Sequence, residues 1–223
     1  MVLWGFYLNS LLPSLTEKYT QKKYDDISHI LWISLKILGS FGIFIFLLGN
    51  LLAPETIALI ATADYIHPVG HIYNSIQAFR IVLAVLLFYF LSLSFIYILI
   101  AAQKQSLLLW VNIGVTLLNI IGNILIIPYF SFIGSAYITL ASQATLMCVT
   151  AFLVSRYIKI PTLFVKNLGV SILWGTAVFT FFYGLSFGEM FGDIFTILLI
   201  APAFFFTYIV WEYFFSKHLF LKK

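Results

Sequence analysis

The sequence predicts an all-α membrane protein, a bundle of six transmembrane helices. Of the 223 residues, 62% are hydrophobic and only 9% are charged, and the mean hydropathy is +1.06. These values exclude an ordinary soluble domain. The apolar residues form runs of about 20, and a helix of that length, at about 1.5 Å per residue, crosses the roughly 30 Å hydrocarbon layer of a bilayer. Finally, the basic residues between the runs fall almost entirely on one side of the membrane, which supports the count of six.

The chain is predicted to begin with the end of a preceding helix and a cytoplasmic loop over residues 1–30, of which 14–30 form a loop or a surface helix. Residues 54–79 are the longest stretch between spans, and Thr56 to Asp64 is predicted to form a short helix in the interface. A basic cytoplasmic tail, 216–223, ends the chain. The predicted spans are 31–53, 80–102, 107–127, 133–155, 168–187 and 194–215.

The distribution of Lys and Arg sets the predicted orientation. With six spans, one side of the membrane holds ten cations, and the other side holds only Arg80 together with four carboxylates. By the positive-inside rule, both termini are then cytoplasmic. Because the cations lie in short loops and form no continuous patch, the net charge of +4 does not indicate a nucleic-acid partner. The ten are Lys18, Lys22, Lys23, Lys104, Arg156, Lys159, Lys166, Lys217, Lys222 and Lys223.

The sequence predicts neither a metal site nor a bound cofactor. His67 and His71 have the spacing of a helical metal pair, but Pro68 and Gly70 between them break a helix. The single cysteine, Cys148, lies inside a span and excludes an internal disulfide.

An enzyme is not predicted either. All four histidines lie outside the spans, and no Asp or Glu falls near the middle of one, so no general acid–base pair is available within the bilayer. Residues 184–188 match the G-x-S-x-G pattern of hydrolases, but they end a membrane helix rather than a strand, and we attribute the match to chance.

A stripe of polar residues follows the third span. Asn112, Thr116, Asn119 and Asn123 succeed one another at intervals of four, three and four, and therefore share one helical face. An amide without a partner in lipid costs several kcal/mol, so this face should point at protein or at a wet cavity. Pro128 is predicted to end the run.

Two interpretations of this stripe stay open. Together with Gln143 on the return helix, the side chains suit a cavity wall that binds sugar hydroxyls, or they join helices by hydrogen bonds. Lys36, near the start of the first span, either extends back to the interface or meets a phosphate group of a substrate at the cytoplasmic face.

The same hairpin resembles a known family. Asn119 and Asn123, then Ile126-Ile127-Pro128, then Gly134-Ser135-Ala136-Tyr137-Ile138-Thr139 are similar to a motif of polysaccharide transporters, the O-antigen and exopolysaccharide flippases of the multidrug/oligosaccharidyl-lipid/polysaccharide flippase superfamily. The chain departs from that motif at Ser131, where the family often has Gly, and at Ser135, where it often has Ala.

The resemblance implies a function and a missing partner. Family members have about twelve spans in two halves, and residues 6–15, FYLNSLLPSL, resemble the end of the helix that closes the first half. The chain would then be the C-terminal half, either a gene fragment or a truncated reading frame, and would need an N-terminal six-helix half. The implied substrate is a lipid-linked oligosaccharide of the undecaprenyl type, carried across the bacterial inner membrane for polysaccharide or lipopolysaccharide O-antigen synthesis by alternating access.

Two alternatives remain. A multidrug exporter of the same superfamily would be expected to carry carboxylates in its cavity. A membrane assembly partner that transports nothing would show no substrate-dependent phenotype when Asn119 and Asn123 are changed to Leu.

Overall fold

A computed structural model describes residues 2–60 and 74–158, and every regular element in these ranges is an α-helix. The all-α prediction is confirmed for this part of the chain. The predicted spans 168–187 and 194–215, the pair His67 and His71, and residues 184–188 lie outside the described residues. The helices are α1 Val2–Thr20, α2 Tyr24–Leu51, α3 Ala53–Ile60, α4 Ser75–Ala101 and α5 Gln105–Ser155.

Three of these helices, α2, α4 and α5, are long and apolar enough to cross a membrane. This places the chain among helical membrane proteins. The predicted first span begins at residue 31, whereas α2 already begins at Tyr24 and contributes additional turns before the apolar run. The short α3 overlaps the interfacial helix predicted from Thr56 onward, and α4 ends one residue before the predicted end of its span.

Helix α5 is two helices joined at a sharp kink. Its 51 residues would measure about 77 Å if straight, more than twice the thickness of a hydrocarbon layer. Ser131 has φ 53° and ψ −144°, a conformation that no helix contains. It divides α5 into an outgoing arm, 105–130, and a return arm, 132–155, each long enough for one crossing.

Contacts between the arms show that they are antiparallel. Asn119 bonds to Ser142, a Cβ on Gly122 would meet Ile138, and a Cβ on Gly134 would meet Ile126. The residue numbers of the partners decrease along the return arm as they increase along the outgoing arm, so the chain reverses direction at Ser131. The prediction of a membrane hairpin is therefore confirmed in its geometry.

The predicted role of Pro128 is wrong in detail. The proline lies inside the helix, and the reversal comes three residues later. Proline removes one backbone donor but keeps a helical φ, so a helix can continue past it where the neighbouring turn accommodates the ring. Gly134 then permits close packing directly after the reversal: a Cβ there would lie 2.6 Å from Ile126 Cγ2 and 3.3 Å from the Ile126 carbonyl oxygen.

The turn after α1 and the turn after α4 have the same pattern of backbone hydrogen bonds as each other. After α1, the amide of Lys22 donates to the Tyr19 carbonyl and that of Lys23 to the Lys18 carbonyl. The amides of Gln103 and Lys104 repeat the pattern at the end of α4. Each is a Schellman motif, with Lys22 (φ 57°) or Gln103 (φ 56°) at the left-handed position. The tight turn predicted at Gln103-Lys104-Gln105 is thereby confirmed.

The described helices contribute to two compact units. Residues 1–42 and 84–170 belong to the first unit, and 43–83 and 171–223 to the second. In the first unit, α1, α2, α4 and the return arm share one apolar core. Its members are Leu15, Ile27, Leu31, Leu35, Leu91, Phe95, Ile98, Leu99, Ala101, Val154 and Ile158. Gly42 lets α2 approach α4 within this unit, since a Cβ there would lie 2.9 Å from Leu87 Cδ1.

Candidate functional site

Asn119 lies at the centre of the amide stripe and bonds across the hairpin. Its Nδ2 donates to Ser142 Oγ on the return arm at 3.2 Å. Ser142 is 5% exposed, so this bond is buried between the two arms. In an apolar medium such a bond satisfies two groups that would otherwise lack partners.

Asn123 lies one turn closer to the reversal and extends this pairing. Its Nδ2 donates to Asn119 Oδ1 at 3.0 Å, so Asn119 both donates and accepts. The Oδ1 atom of Asn123 is buried and accepts no hydrogen bond from the residues that the structure describes. Asn123, Asn119 and Ser142 thus form one chain of hydrogen bonds, which we term the amide seam.

Gln143 connects the return arm to a different helix. Its Nε2 donates to Ser92 Oγ on α4 at 3.0 Å, and Ser92 Oγ in turn donates to the Tyr89 carbonyl at 2.8 Å. Ser92 is fully buried. The neighbouring residues Ser142 and Gln143 therefore attach the return arm to the outgoing arm and to α4, respectively.

The other half of the stripe is open. Asn112 and Thr116 are both exposed, as are the apolar residues Leu109, Ile113 and Ile120 around them. We term Asn112 and Thr116 the open pair. A hydrogen-bonding ligand can reach these side chains without disrupting the amide seam.

Lys36 lies farther along its helix than the sequence predicts. With α2 starting at Tyr24, Lys36 is 12 residues into the helix, about 18 Å along its axis. Its Nζ lies 5.8 Å from the centroid of the Trp32 ring, one turn back toward the start of α2. The ammonium group therefore extends toward the end of the helix where the chain enters, as a snorkelling lysine does.

The structure thus divides the predicted site. It joins Asn119 and Asn123 in the seam, links Gln143 to α4, leaves Asn112 and Thr116 exposed, and directs Lys36 along its own helix. No group of three or more His, Cys, Asp or Glu side chains suited to a metal ion occurs in 2–60 or 74–158.

Sequence reasoning did not identify Ser142. A usable pattern was present, because Ser135, Thr139 and Ser142 follow one another at intervals of four and three and so share a face of the return arm. When two consecutive apolar helices form a hairpin and each has a polar face, the two polar faces are expected to pack against each other. Ser92 was visible as a polar interruption of its span, but its pairing with Gln143 was not.

Comparison of the chain with protein-family models, with curated proteins and with solved structures gives no match. A function can therefore be inferred only from the residues themselves and from the motif resemblance at the hairpin.

Proposed function

We propose that this chain is the C-terminal half of a flippase that carries lipid-linked oligosaccharides across the bacterial inner membrane. The observation that carries the proposal is the open pair. Asn112 and Thr116 are exposed, hydrogen-bonding groups inside an otherwise apolar span, and they lie on the same helical face as the motif residues Asn119 and Asn123. Such groups are costly in lipid and useful in a cavity that binds sugar.

The chemistry of the open pair suits an uncharged sugar. An Asn side chain donates through Nδ2 and accepts through Oδ1, and a Thr hydroxyl does both, so the two can bind adjacent sugar hydroxyls. No buried charge has to be created for this. We assign Asn112 and Thr116 to the cavity wall, and Asn119, Asn123 and Gln143 to maintaining the shape of that wall.

Transport would follow from alternating access. The hairpin, held rigid by its amide seam, would move as one body against an N-terminal six-helix half, and the substrate would remain between them. The lipid tail of an undecaprenyl-type substrate would stay among membrane lipids while the sugars cross. The isolated chain, lacking the other half, should not transport.

The test is carried out in the native host. Deletion of the gene should cause lipid-linked sugar intermediates to accumulate on the cytoplasmic side, and the wild-type gene should reverse this. The double variant Asn112→Leu/Thr116→Val should express normally and fail to reverse it. Ile120→Leu, on the same exposed face, is the matched control and should behave as wild type.

Two results would refute the proposal. One is a deletion strain with unchanged lipid-linked sugars. The other concerns the half assignment alone: robust translocation by the purified chain in proteoliposomes would show that no second half is needed.

The second candidate function is a membrane assembly partner that does not transport. It is favoured by the bonds Asn119–Ser142 and Gln143–Ser92, which use stripe residues to join helices. In that case the gene would be required, yet the Asn112→Leu/Thr116→Val variant would restore growth and sugar export fully.

A further inference from the structure

Five cations gather at one end of the first unit, which we term the basic end. It contains the α1–α2 turn, the α4–α5 turn and the end of the return arm. Its members are Lys18, Lys22, Lys23, Lys104 and Arg156.

Packing brings these three segments together. Leu15 and Ile27, which flank the α1–α2 turn, share a core cluster with Leu99 and Ala101 before the α4–α5 turn, and with Val154 at the end of the return arm. A side-chain contact also joins the α4–α5 turn to the end of the return arm, since Lys104 Nζ lies 5.7 Å from the centroid of the Tyr157 ring.

The charge at this end is only partly neutralised. Lys18 Nζ is 2.6 Å from Asp26 Oδ2, which pairs one cation. Among the described residues, Glu17 and Asp25 are the other carboxylates there, so the five cations and three carboxylates of this part of the chain have a net charge of +2. Lys22 and Lys23 are exposed on the turn itself.

Arg156 places its charge beside the apolar surface of the hairpin. Its guanidinium carbon lies 4.6 Å from the centroid of the Phe152 ring, one turn back along the return arm, and Phe152 is 56% exposed. The guanidinium group thus lies beside exposed aromatic surface near the end of a membrane helix, a combination that suits the membrane interface, where lipid phosphates lie.

We propose that the basic end binds the anionic headgroups of phospholipids in the leaflet that it faces. Cations near helix C-termini also offset the helix dipole, which accounts for Lys18 in the last turn of α1 and for Arg156 at the C-cap of the return arm. That role needs no ligand, but it does not account for the charge that three separate segments bring to one end of the unit. This proposal does not depend on the transport function.

The experiment uses the purified full chain in detergent micelles, titrated with fluorescent phosphatidylglycerol and, in parallel, with fluorescent phosphatidylcholine. Phosphatidylglycerol should bind several-fold more tightly, and this preference should shrink as NaCl is raised from 50 to 500 mM, on the order expected for surface charge. Replacing Lys22 and Lys23 with Gln should weaken phosphatidylglycerol binding by about fivefold for each cation removed, and leave phosphatidylcholine binding unchanged.

A comparison of two arginine variants tests whether the position of the charge matters or only the net charge of the protein. Arg156→Gln should lower the preference for the anionic lipid, whereas Arg80→Gln, more than five helical turns before the end of α4, should not. The proposal is overturned if wild-type protein binds both lipids equally, if Arg80→Gln has the effect of Arg156→Gln, or if millimolar inorganic phosphate displaces the lipid. The salt series needs no variant, so a poorly folding variant does not prevent the test.

Discussion

The two ends of the amide stripe have similar side chains and different roles. Toward the reversal, Asn119 and Asn123 are half-buried and bonded to each other, and Asn119 also bonds to Ser142. Farther from it, Asn112 and Thr116 are exposed. What distinguishes the two ends in the described part of the chain is a bond to the return arm, which the stripe makes at Asn119 through Ser142.

The difference shows that spacing alone cannot assign a polar residue in a membrane helix. Interhelical bonds in membranes contribute modestly, about 0.6 kcal/mol on average and at most about 1.7. The seam therefore stabilises one arrangement of the arms without dominating the stability of the unit. The open pair makes no such bond to the residues that the structure describes, and both of its side chains are exposed to a ligand.

The largest expected effect comes from removing the close approach at the reversal. Gly134→Ala should destabilise the first unit by about 2 kcal/mol, because its Cβ would meet Phe130 Cβ at 3.0 Å and the Ile126 carbonyl oxygen at 3.3 Å, neither of which can move freely. Unfolding in mixed SDS micelles measures this. The matched control is Gly114→Ala at the open end, where a Cβ meets nothing within 4 Å. That variant should be neutral or more stable, by up to about 1 kcal/mol.

A smaller loss is expected from removing the centre of the seam. Asn119→Leu should cost about 1 to 1.5 kcal/mol, since it leaves Ser142 Oγ and Asn123 Nδ2 without their partner in the seam. Asn112→Leu, the same substitution in the open pair, should change the free energy of unfolding by less than about 0.5 kcal/mol. Equal effects at the two positions would remove the distinction between the ends.

A gain is expected at the reversal itself. Ser131 has φ 53° and ψ −144°, a region that glycine occupies without strain and other residues rarely enter. Ser131→Gly should therefore stabilise the hairpin by about 1 kcal/mol. Ser131→Ala keeps the strain and should not stabilise. A loss of stability in Ser131→Gly would contradict the assigned position of the reversal.

The smallest effect should come from the bond between the return arm and α4. Gln143→Leu removes the donor to Ser92 Oγ and should cost about 0.6 kcal/mol, the average for a bond of this kind. Ser92 keeps its own bond to the Tyr89 carbonyl, which limits the loss. Ser92→Ala in the Gln143→Leu background should add little if the two residues act mainly on each other.

Much of the fold was predictable because hydrophobic periodicity and length determine membrane helices directly. The tight turn at Gln103-Lys104-Gln105 and the return arm from residue 133 agree with the structure to within about one residue. The outgoing arm was predicted to end at Pro128 because proline ends many helices, but the helix continues past Pro128, and the backbone reverses at Ser131, within the predicted connection 128–132. The resemblance did indicate this position, since the polysaccharide transporters often have Gly where Ser131 stands, and Gly favours a positive φ.

The candidate site was less predictable. The sequence placed four side chains on one face but could not show which had partners, because that depends on Ser142 across the seam. The start of α2 was also placed too late, since the acidic first turn of α2, with Asp25 and Asp26, begins the helix before the apolar run, so Lys36 lies farther along the helix. Pairing between helices is a property of the tertiary structure and not of either helix alone.

The most direct test of this account is a double-mutant cycle across the hairpin, measured as free energy of unfolding. Asn119→Leu and Ser142→Ala should be coupled by about 1 kcal/mol, because each removes the same bond. Asn112→Leu and Ser142→Ala should be additive to within about 0.3 kcal/mol. Additivity of the first pair, or coupling of the second, would contradict a stripe that is bonded at one end and open at the other.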